Sequence, residues 1–436
     1  MDTWQWAAEV VADWLLQGIS PRDAMAQRGE LRELPGEVRA LVSTWSHEAI
    51  AMQRLLAFAA AGTAGLASLA PHERATVLVL TARVVHGELS AMVAGNLSAT
   101  RLRRPFSFAE VASWQARLLA IEDPELRFAI RHSLPDWLAT AFLQEFGLDA
   151  EVVASALNLP APRTLRANLL RVGSRDVLAS QLANHGITTR PTRYAAHGLH
   201  AEGTADLFAT APYREGALEQ QDEASQLAVA ATAPPPRGRV LDVCAGNGGK
   251  TLALAAAMQN RGELLATDVH AGRLQAMKVR ARRAGVSNLR ITAIGEDQWP
   301  AEVEAFAATA DRLLVDAPCS GTGAFRRRPE ARWQLAASDL PSLQRTQDAL
   351  LERAALLLRP GARIVYATCS LLAQENEARV AALLARHPEL ERVRLVEVLG
   401  ASVASPIADG TGSSLSLRPD RHGCDGFFAA ILRKRR

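Results

Sequence analysis

Leu241-Asp242-Val243-Cys244-Ala245-Gly246-Asn247-Gly248-Gly249-Lys250-Thr251 is the stretch on which the reading of this chain turns. It closes a short apolar run, Arg239–Cys244, which predicts a strand, and it opens a helical pattern over Thr251–Met258. Glycines between a strand and a helix let the backbone approach a ligand, with the helix N-terminus beneath it. The loop is not a phosphate-binding P-loop, because GxxxxGK[ST] would need glycine at position 244, which is Cys244. Working outward, strand-like runs recur at Glu263–Val269, Leu289–Ile294, Leu313–Asp316 and Arg363–Thr368. Helical patterns at Ala271–Arg283, Leu343–Leu358 and Gln374–Ala385 lie between or after them, and Gly426–Leu432 reads as a last strand. Alternation of this kind predicts an α/β fold, a mostly parallel sheet with helices on both faces.

The first third of the chain has a different texture. Trp4, Ala7, Ala8, Val11 and Leu15 fall at helical spacing before Gly18, and amphipathic stretches follow at Glu37–Ala60, Pro71–Leu89 and Phe108–Ile121. The expected architecture is therefore an all-α domain over residues 1–150, a mixed connecting subdomain over 151–236, and the α/β domain over 237–436. With 436 residues and roughly 100–200 per domain, two or three domains are expected. Apolar residues make up 48% and charged residues 22%, which excludes a disordered chain. A net charge of +3 leaves any nucleic-acid surface to local clusters such as Arg101, Arg103 and Arg104, or Arg326, Arg327 and Arg328. The start, Met1-Asp2-Thr3-Trp4, lacks the pattern of a signal peptide, and no run reaches the ~18 apolar residues of a membrane span. A cytoplasmic protein with no membrane partner is expected.

Acidic residues mark the carboxyl ends of successive strands, where open α/β sheets bind ligands. Asp268 ends the second strand, about 20 residues past the glycine loop, the position from which an acid accepts hydrogen bonds from ribose hydroxyls. The third strand ends at Gly295-Glu296-Asp297, and either Glu296 or Asp297 offers a carboxylate to an adenine amine. The fourth strand delivers Asp316-Ala317-Pro318-Cys319-Ser320-Gly321-Thr322-Gly323, and the fifth Ala367-Thr368-Cys369-Ser370. A cysteine is most often a small buried hydrophobe. Two of them just past strand ends, on the ligand edge, are better explained by chemistry. The other two, Cys244 and Cys424, make no CxxC pair with them, so neither a zinc site nor a disulfide scaffold is expected.

These two cysteine motifs resemble the signatures of RNA 5-methylcytosine methyltransferases. The resemblance extends to LRANLLR at Leu165–Arg171, QDEASQL at Gln221–Leu227, RRRPE at Arg326–Glu330 and DGFFAAIL at Asp425–Leu432, and so covers about residues 125 to 436. It is nearest to the bacterial 16S rRNA enzymes of the Sun/Fmu (RsmB-like) type. It implies a Rossmann-like class I methyltransferase domain with a terminal antiparallel strand, preceded by a helical, NusB-like RNA-binding domain. It also implies S-adenosyl-L-methionine as cofactor, RNA as partner, and a protein acting as a monomer. By the family pattern Cys369 attacks carbon 6 of cytosine, Cys319 assists release, and Asp316 hydrogen-bonds the base near ring nitrogen 3. The cofactor loop would be Cys244, Ala245, Gly246, Asn247, Gly248, Gly249 and Lys250, the last pointed at the active site by the family's GGKT. Arg166, Asn168 and the run Arg326–Arg328 are candidate RNA contacts. Where the family usually reads CAAPGGKT, this chain has Gly246-Asn247 in place of Ala-Pro; both residues tolerate left-handed turns, so cofactor binding is expected to survive.

Three other readings compete. DNA cytosine-5 methyltransferases use the Pro-Cys cysteine as nucleophile and need no second one, so ATCS argues against that class. A tRNA cytosine-5 methyltransferase would share both cysteines. A non-catalytic ribosome-assembly factor on the same fold would have no reason to keep Cys319, Cys369 and Asp316 together.

Overall fold

The computed structural model describes residues 1–296 and 298–436. Its chain divides into two compact units, one of residues 1–160 with 325–337, the other of 161–324 with 338–436.

The first unit is helical. Thr3–Gln17 packs against Gly36–Ala51 and Pro71–Val85, burying Trp4, Ala7, Ala8 and Val11, the positions that carried the helical spacing. Gly18 ends the helix at φ 69°, donating its N–H to Trp14 O at 2.8 Å. The predicted helix Glu37–Ala60 breaks at Met52 (φ −100°, ψ 16°) into Gly36–Ala51 and Gln53–Ala61. The pattern at Phe108–Ile121 is a 3-10 turn, Ala109–Ser113, followed by Trp114–Leu119.

Residues 325–337 belong to this unit although the motifs on either side belong to the other. Arg332 anchors the segment and is completely buried. Its guanidinium donates to Asn158 Oδ1 at 2.6 Å, Leu157 O at 3.3 Å, Ala51 O at 3.4 Å and Ser133 O at 3.5 Å, all uncharged acceptors. Trp333 Nε1 donates to Ile50 O at 2.9 Å. Carbonyls at helix ends lack intrahelical partners, and this arginine supplies several at once.

The second unit holds two sheets. The smaller is antiparallel and runs β2-β3-β1-β4, with β1 at Arg163–Ala167, β2 at Thr189–Pro191, β3 at Gly198–Ala201 and β4 at Leu218–Gln220. Leu178 and Leu182 of helix Arg175–Ala183 pack with Leu165, Leu199 and Leu218 in its core.

The larger sheet is the predicted one. Its strands are β5 (Arg239–Asp242), β6 (Glu263–Asp268), β7 (Leu289–Ala293), β8 (Arg312–Asp316), β9 (Arg363–Thr368), β10 (Leu390–Arg392), β11 (Ser414–Leu417) and β12 (Phe427–Lys434). They are ordered β10-β12-β9-β8-β5-β6-β7, with β11 paired to β12. The run from β9 to β7 is parallel and β12 is antiparallel to β9, as the expected fold class requires. Successive residues feed opposite faces: Val240, Leu314 and Val365 enter one core, Leu241, Leu313 and Ile364 the other. From β5 the chain builds outward through β6 and β7, then returns to lay β8 on the other side of β5. That reversal opens a crevice at the carboxyl ends of β5 and β8. Because β12 runs antiparallel, its beginning reaches the same edge; Phe428 pairs with Thr368.

Candidate active site

The crevice is floored by the glycine loop. Gly246 adopts φ 54° and Gly248 φ 84°, backbone that L side chains rarely adopt. In this conformation an alanine at position 246 would be strained. A Cβ on Gly246 would stand in open space, whereas one on Gly248 would meet Met277 Cγ at 2.4 Å. The helix Gly249–Ala257 begins directly beneath. Asp268 at the end of β6 is buried, and its carboxylate accepts the N–H groups of Gly246 and His270, each at 2.8 Å. Each oxygen keeps a lone pair for a ribose hydroxyl. Burial, Asp316, Asp242 and Asp268 push the half-buried Cys244 thiol well up, so it stays protonated. Arg280 Nη1 donates to Asn247 O at 2.7 Å. Glu296 follows β7 and is exposed; Asp297 lies outside the described residues.

Asp242, at the end of β5, had no role in the sequence reading. Burial pushes its carboxyl up to about 7, with Thr251 Oγ1 donating at 2.7 Å and Lys250 acting in the opposite direction. Its Oδ1 is buried without a hydrogen-bond partner. An orphaned buried acceptor beside an open glycine cradle, with Asp268 opposite, fits a ligand carrying both donors and a ribose. These residues fit S-adenosylmethionine.

The two cysteine loops meet above this floor. β8 and β9 are adjacent parallel strands with Asp316 paired to Ala367, so residues 50 positions apart leave the sheet side by side. Cys319 Sγ and Cys369 Sγ are 3.3 Å apart and both are half-buried. Gly323 N donates to Cys369 O and Gly426 N to Gly323 O, each at 2.9 Å, which ties both loops to the start of β12. A Cβ on Gly323 would lie 2.2 Å from Gly426 O, in backbone that cannot step aside. Gly323→Ala is therefore expected to lower stability by about 1–3 kcal/mol, the usual scale of overpacking, read by thermal melting.

Lys250 Nζ donates to Asp316 Oδ2 at 2.6 Å and stands 5.0 Å from the centre of the Phe427 ring. Burial pulls its ammonium down, but Asp316 with Cys369 and Asp242 more than offsets this, and the net direction is up. The thiols are driven apart. The hydrogen bond to Cys319 lowers Cys369; burial and Asp316 oppose it, Lys250 reinforces it, and the net direction is down. That hydrogen bond, burial and the nearby Glu375 carboxylate raise Cys319 well above the ordinary thiol range. Lys250 acts on Cys369 and Glu375 on Cys319, and the two thiols are shifted in opposite directions. Alkylation of Cys369 by iodoacetamide, followed by mass spectrometry, should show a midpoint below that of an ordinary thiol. Lys250→Met should move it upward; an unmoved midpoint would remove the lysine from this account.

The remaining candidates lie elsewhere. Arg166 is buried in the smaller sheet, where its Nε donates to Gln221 Oε1 at 2.6 Å and burial pushes its pKa to about 10. Asn168 is buried too, its Nδ2 donating to Gly216 O and Ala284 O at 2.8 Å. Arg326, Arg327 and Arg328 sit in the segment that belongs to the helical unit. Arg326 is buried there, and its carbonyl accepts from His47 Nε2 at 3.0 Å. Arg328 is exposed and donates to Glu330 Oε1 at 3.3 Å. Phe427 and Glu375 carried no sequence signal of their own; Phe427 was quoted only inside a motif, and Glu375 read as the beginning of a helix.

Comparison with known proteins agrees with this geometry. The family model described as 16S rRNA methyltransferase RsmB/F matches residues 229–433, and the RsmF/B-like ferredoxin-like domain matches 134–207. The probable ribosomal RNA small subunit methyltransferase B of Synechocystis sp. is 32% identical over 316 residues, 72% of this chain and 70% of that protein. Its counterpart in Bacillus subtilis is 32% identical over 321 residues, again 72% and 70%. A solved methyltransferase homologue from Pyrococcus horikoshii covers 72% of this chain and 99% of its own, at a TM-score of 0.60 and 27% identity. With the glycine cradle and its acids already in place, the chain belongs to the RsmB/F family and is an S-adenosylmethionine-dependent RNA methyltransferase.

Proposed function

We propose that this enzyme methylates carbon 5 of a cytosine in RNA through a covalent bond between Cys369 and carbon 6 of the base. The observation that carries the proposal is the pair of thiols 3.3 Å apart, one beside a lysine–aspartate pair. Carbon 5 of cytosine is a poor nucleophile until a thiolate adds to carbon 6 and makes the ring enamine-like. Cys369, lowered by Cys319 and Lys250, is suited to that addition. In this reading Asp316, held by Lys250, hydrogen-bonds the ring near nitrogen 3. S-adenosylmethionine, held by the glycine loop and Asp268, would supply the electrophilic methyl group. Carbon 5 then gives its proton to solvent water, the C–H electron pair re-forms the ring double bond, and the Cys369 sulfur leaves carbon 6 as a thiolate. Cys319, a thiol at rest, lies within contact of the leaving sulfur and assists that release.

The target base must be unstacked or lie in a loop to reach thiols in a crevice. The relatives are named for ribosomal small-subunit RNA, and we take 16S rRNA as the substrate class. We read the helical unit as an RNA-binding part. Incubation with radiolabelled S-adenosylmethionine and transcribed 16S RNA, followed by nuclease digestion and chromatography, should place the label in 5-methylcytidine. Label in an N-methylated base or on ribose would contradict the proposal.

A further inference from the structure

We propose that Glu375 is the positioning residue for both thiols, its carboxylate tying the Pro-Cys-Ser loop to the Thr-Cys-Ser loop. The proposal rests on the covalent reading above. Glu375 lies in the short turn Ala373–Glu375 after β9 and is completely buried. A buried carboxylate is costly unless its oxygens are hydrogen-bonded, and here both are. Oε1 accepts Ser320 N at 2.9 Å and Gln347 Nε2 at 3.0 Å; Oε2 accepts Ser320 Oγ at 2.5 Å and Ser370 Oγ at 2.6 Å.

Ser320 directly follows Cys319, and Ser370 directly follows Cys369. One side chain thus bonds the neighbour of each thiol. Gln347 extends the tie by donating to Pro318 O, the residue before Cys319, at 3.0 Å. The turn is fixed in its turn: Tyr366 OH donates to Glu375 O at 2.5 Å, and Asn376 Nδ2 donates to Ser370 O at 2.9 Å. The Glu375 charge also disfavours a thiolate on Cys319, which leaves that state to Cys369. Glu375 is fully buried and acts through the sulfur positions.

The test uses the full-length chain with Glu375→Ala and Glu375→Gln. Dibromobimane bridges two nearby thiols, each thiolate displacing one bromide, so its rate of cross-linking Cys319 to Cys369 reads their juxtaposition without any RNA. Peptide mapping identifies the bridged pair. For Glu375→Ala, cross-linking should slow markedly and kcat should fall about 10²-fold, the scale of a misplacement near 1 Å, with KM for RNA and affinity for S-adenosylmethionine unchanged. Glutamine keeps the volume but loses the charge-assisted bonds, and its cross-linking should slow about threefold. Should the alanine variant fail to fold, the glutamine variant decides.

Wild-type cross-linking and turnover in the glutamine variant would overturn the positioning role. A Cys369→Ala enzyme that still methylates, while the Glu375 variants cross-link slowly, would remove the covalent reading and leave the tie intact. An inactive Cys369→Ala enzyme with unchanged Glu375 variants would remove the tie alone.

Discussion

Cys369→Ala is expected to lower methyl transfer by roughly 10⁴-fold or more, the scale on which loss of a catalytic nucleophile acts. The reason is chemical rather than structural. Without addition at carbon 6 the base has little electron density to offer at carbon 5. The side chain is half-buried at the rim of the core, and the substitution removes a single sulfur atom from it. S-adenosylmethionine affinity and melting temperature should both stay near wild type. Single-turnover labelling of RNA measures the loss, and calorimetry checks the binding. Residual transfer within tenfold of wild type would mean that carbon 5 is activated by another group.

Asp316→Asn should act on kcat, by about 10²–10³-fold, the cost of removing one electrostatic stabiliser from a water-poor site. Two effects add here. The base loses an anionic partner for the charge that develops on its ring once sulfur has added. Lys250 loses the carboxylate that holds it at 2.6 Å, and keeps the Phe427 ring 5.0 Å away and the weaker pull of Asp242. An amide keeps the shape, so KM for RNA should move little. Steady-state kinetics separates the two constants; a change confined to KM would assign Asp316 to binding instead.

Much of this site was legible because a parallel sheet repeats its own logic. Each strand delivers its carboxyl end to one edge, so Asp268, Asp316, Cys319 and Cys369 were bound to converge once Arg239–Cys244, Glu263–Val269, Leu313–Asp316 and Arg363–Thr368 were read as strands of one parallel sheet. Their apolar content settled the matter, since strands buried on both faces admit little else. The smaller sheet was not legible. Its strands are three to five residues long and carry Arg163, Arg166, Arg190, His200 and Glu219, which breaks any alternation.

Two further features depend on contacts between distant parts of the chain. Phe325–Ala337 looks like a basic, solvated run in sequence, yet Arg332 is spent on carbonyls of the helical unit nearly 200 residues or more away. Glu375 reads as a helix start because local pattern says nothing of Ser320 and Gln347, which come from other elements. Gly246 was the reverse case. The departure from Ala-Pro was visible at once, and Gly246 takes the left-handed backbone, at φ 54°, that glycine was expected to tolerate.

The division of labour between the sulfurs is tested most directly by Cys319→Ala incubated with RNA and S-adenosylmethionine, then run on a denaturing gel. With the releasing thiol gone, the protein should carry RNA through denaturation as a stable adduct, while wild type and Cys369→Ala run free. An adduct formed by Cys369→Ala, with none from Cys319→Ala, would contradict the account and exchange the two roles.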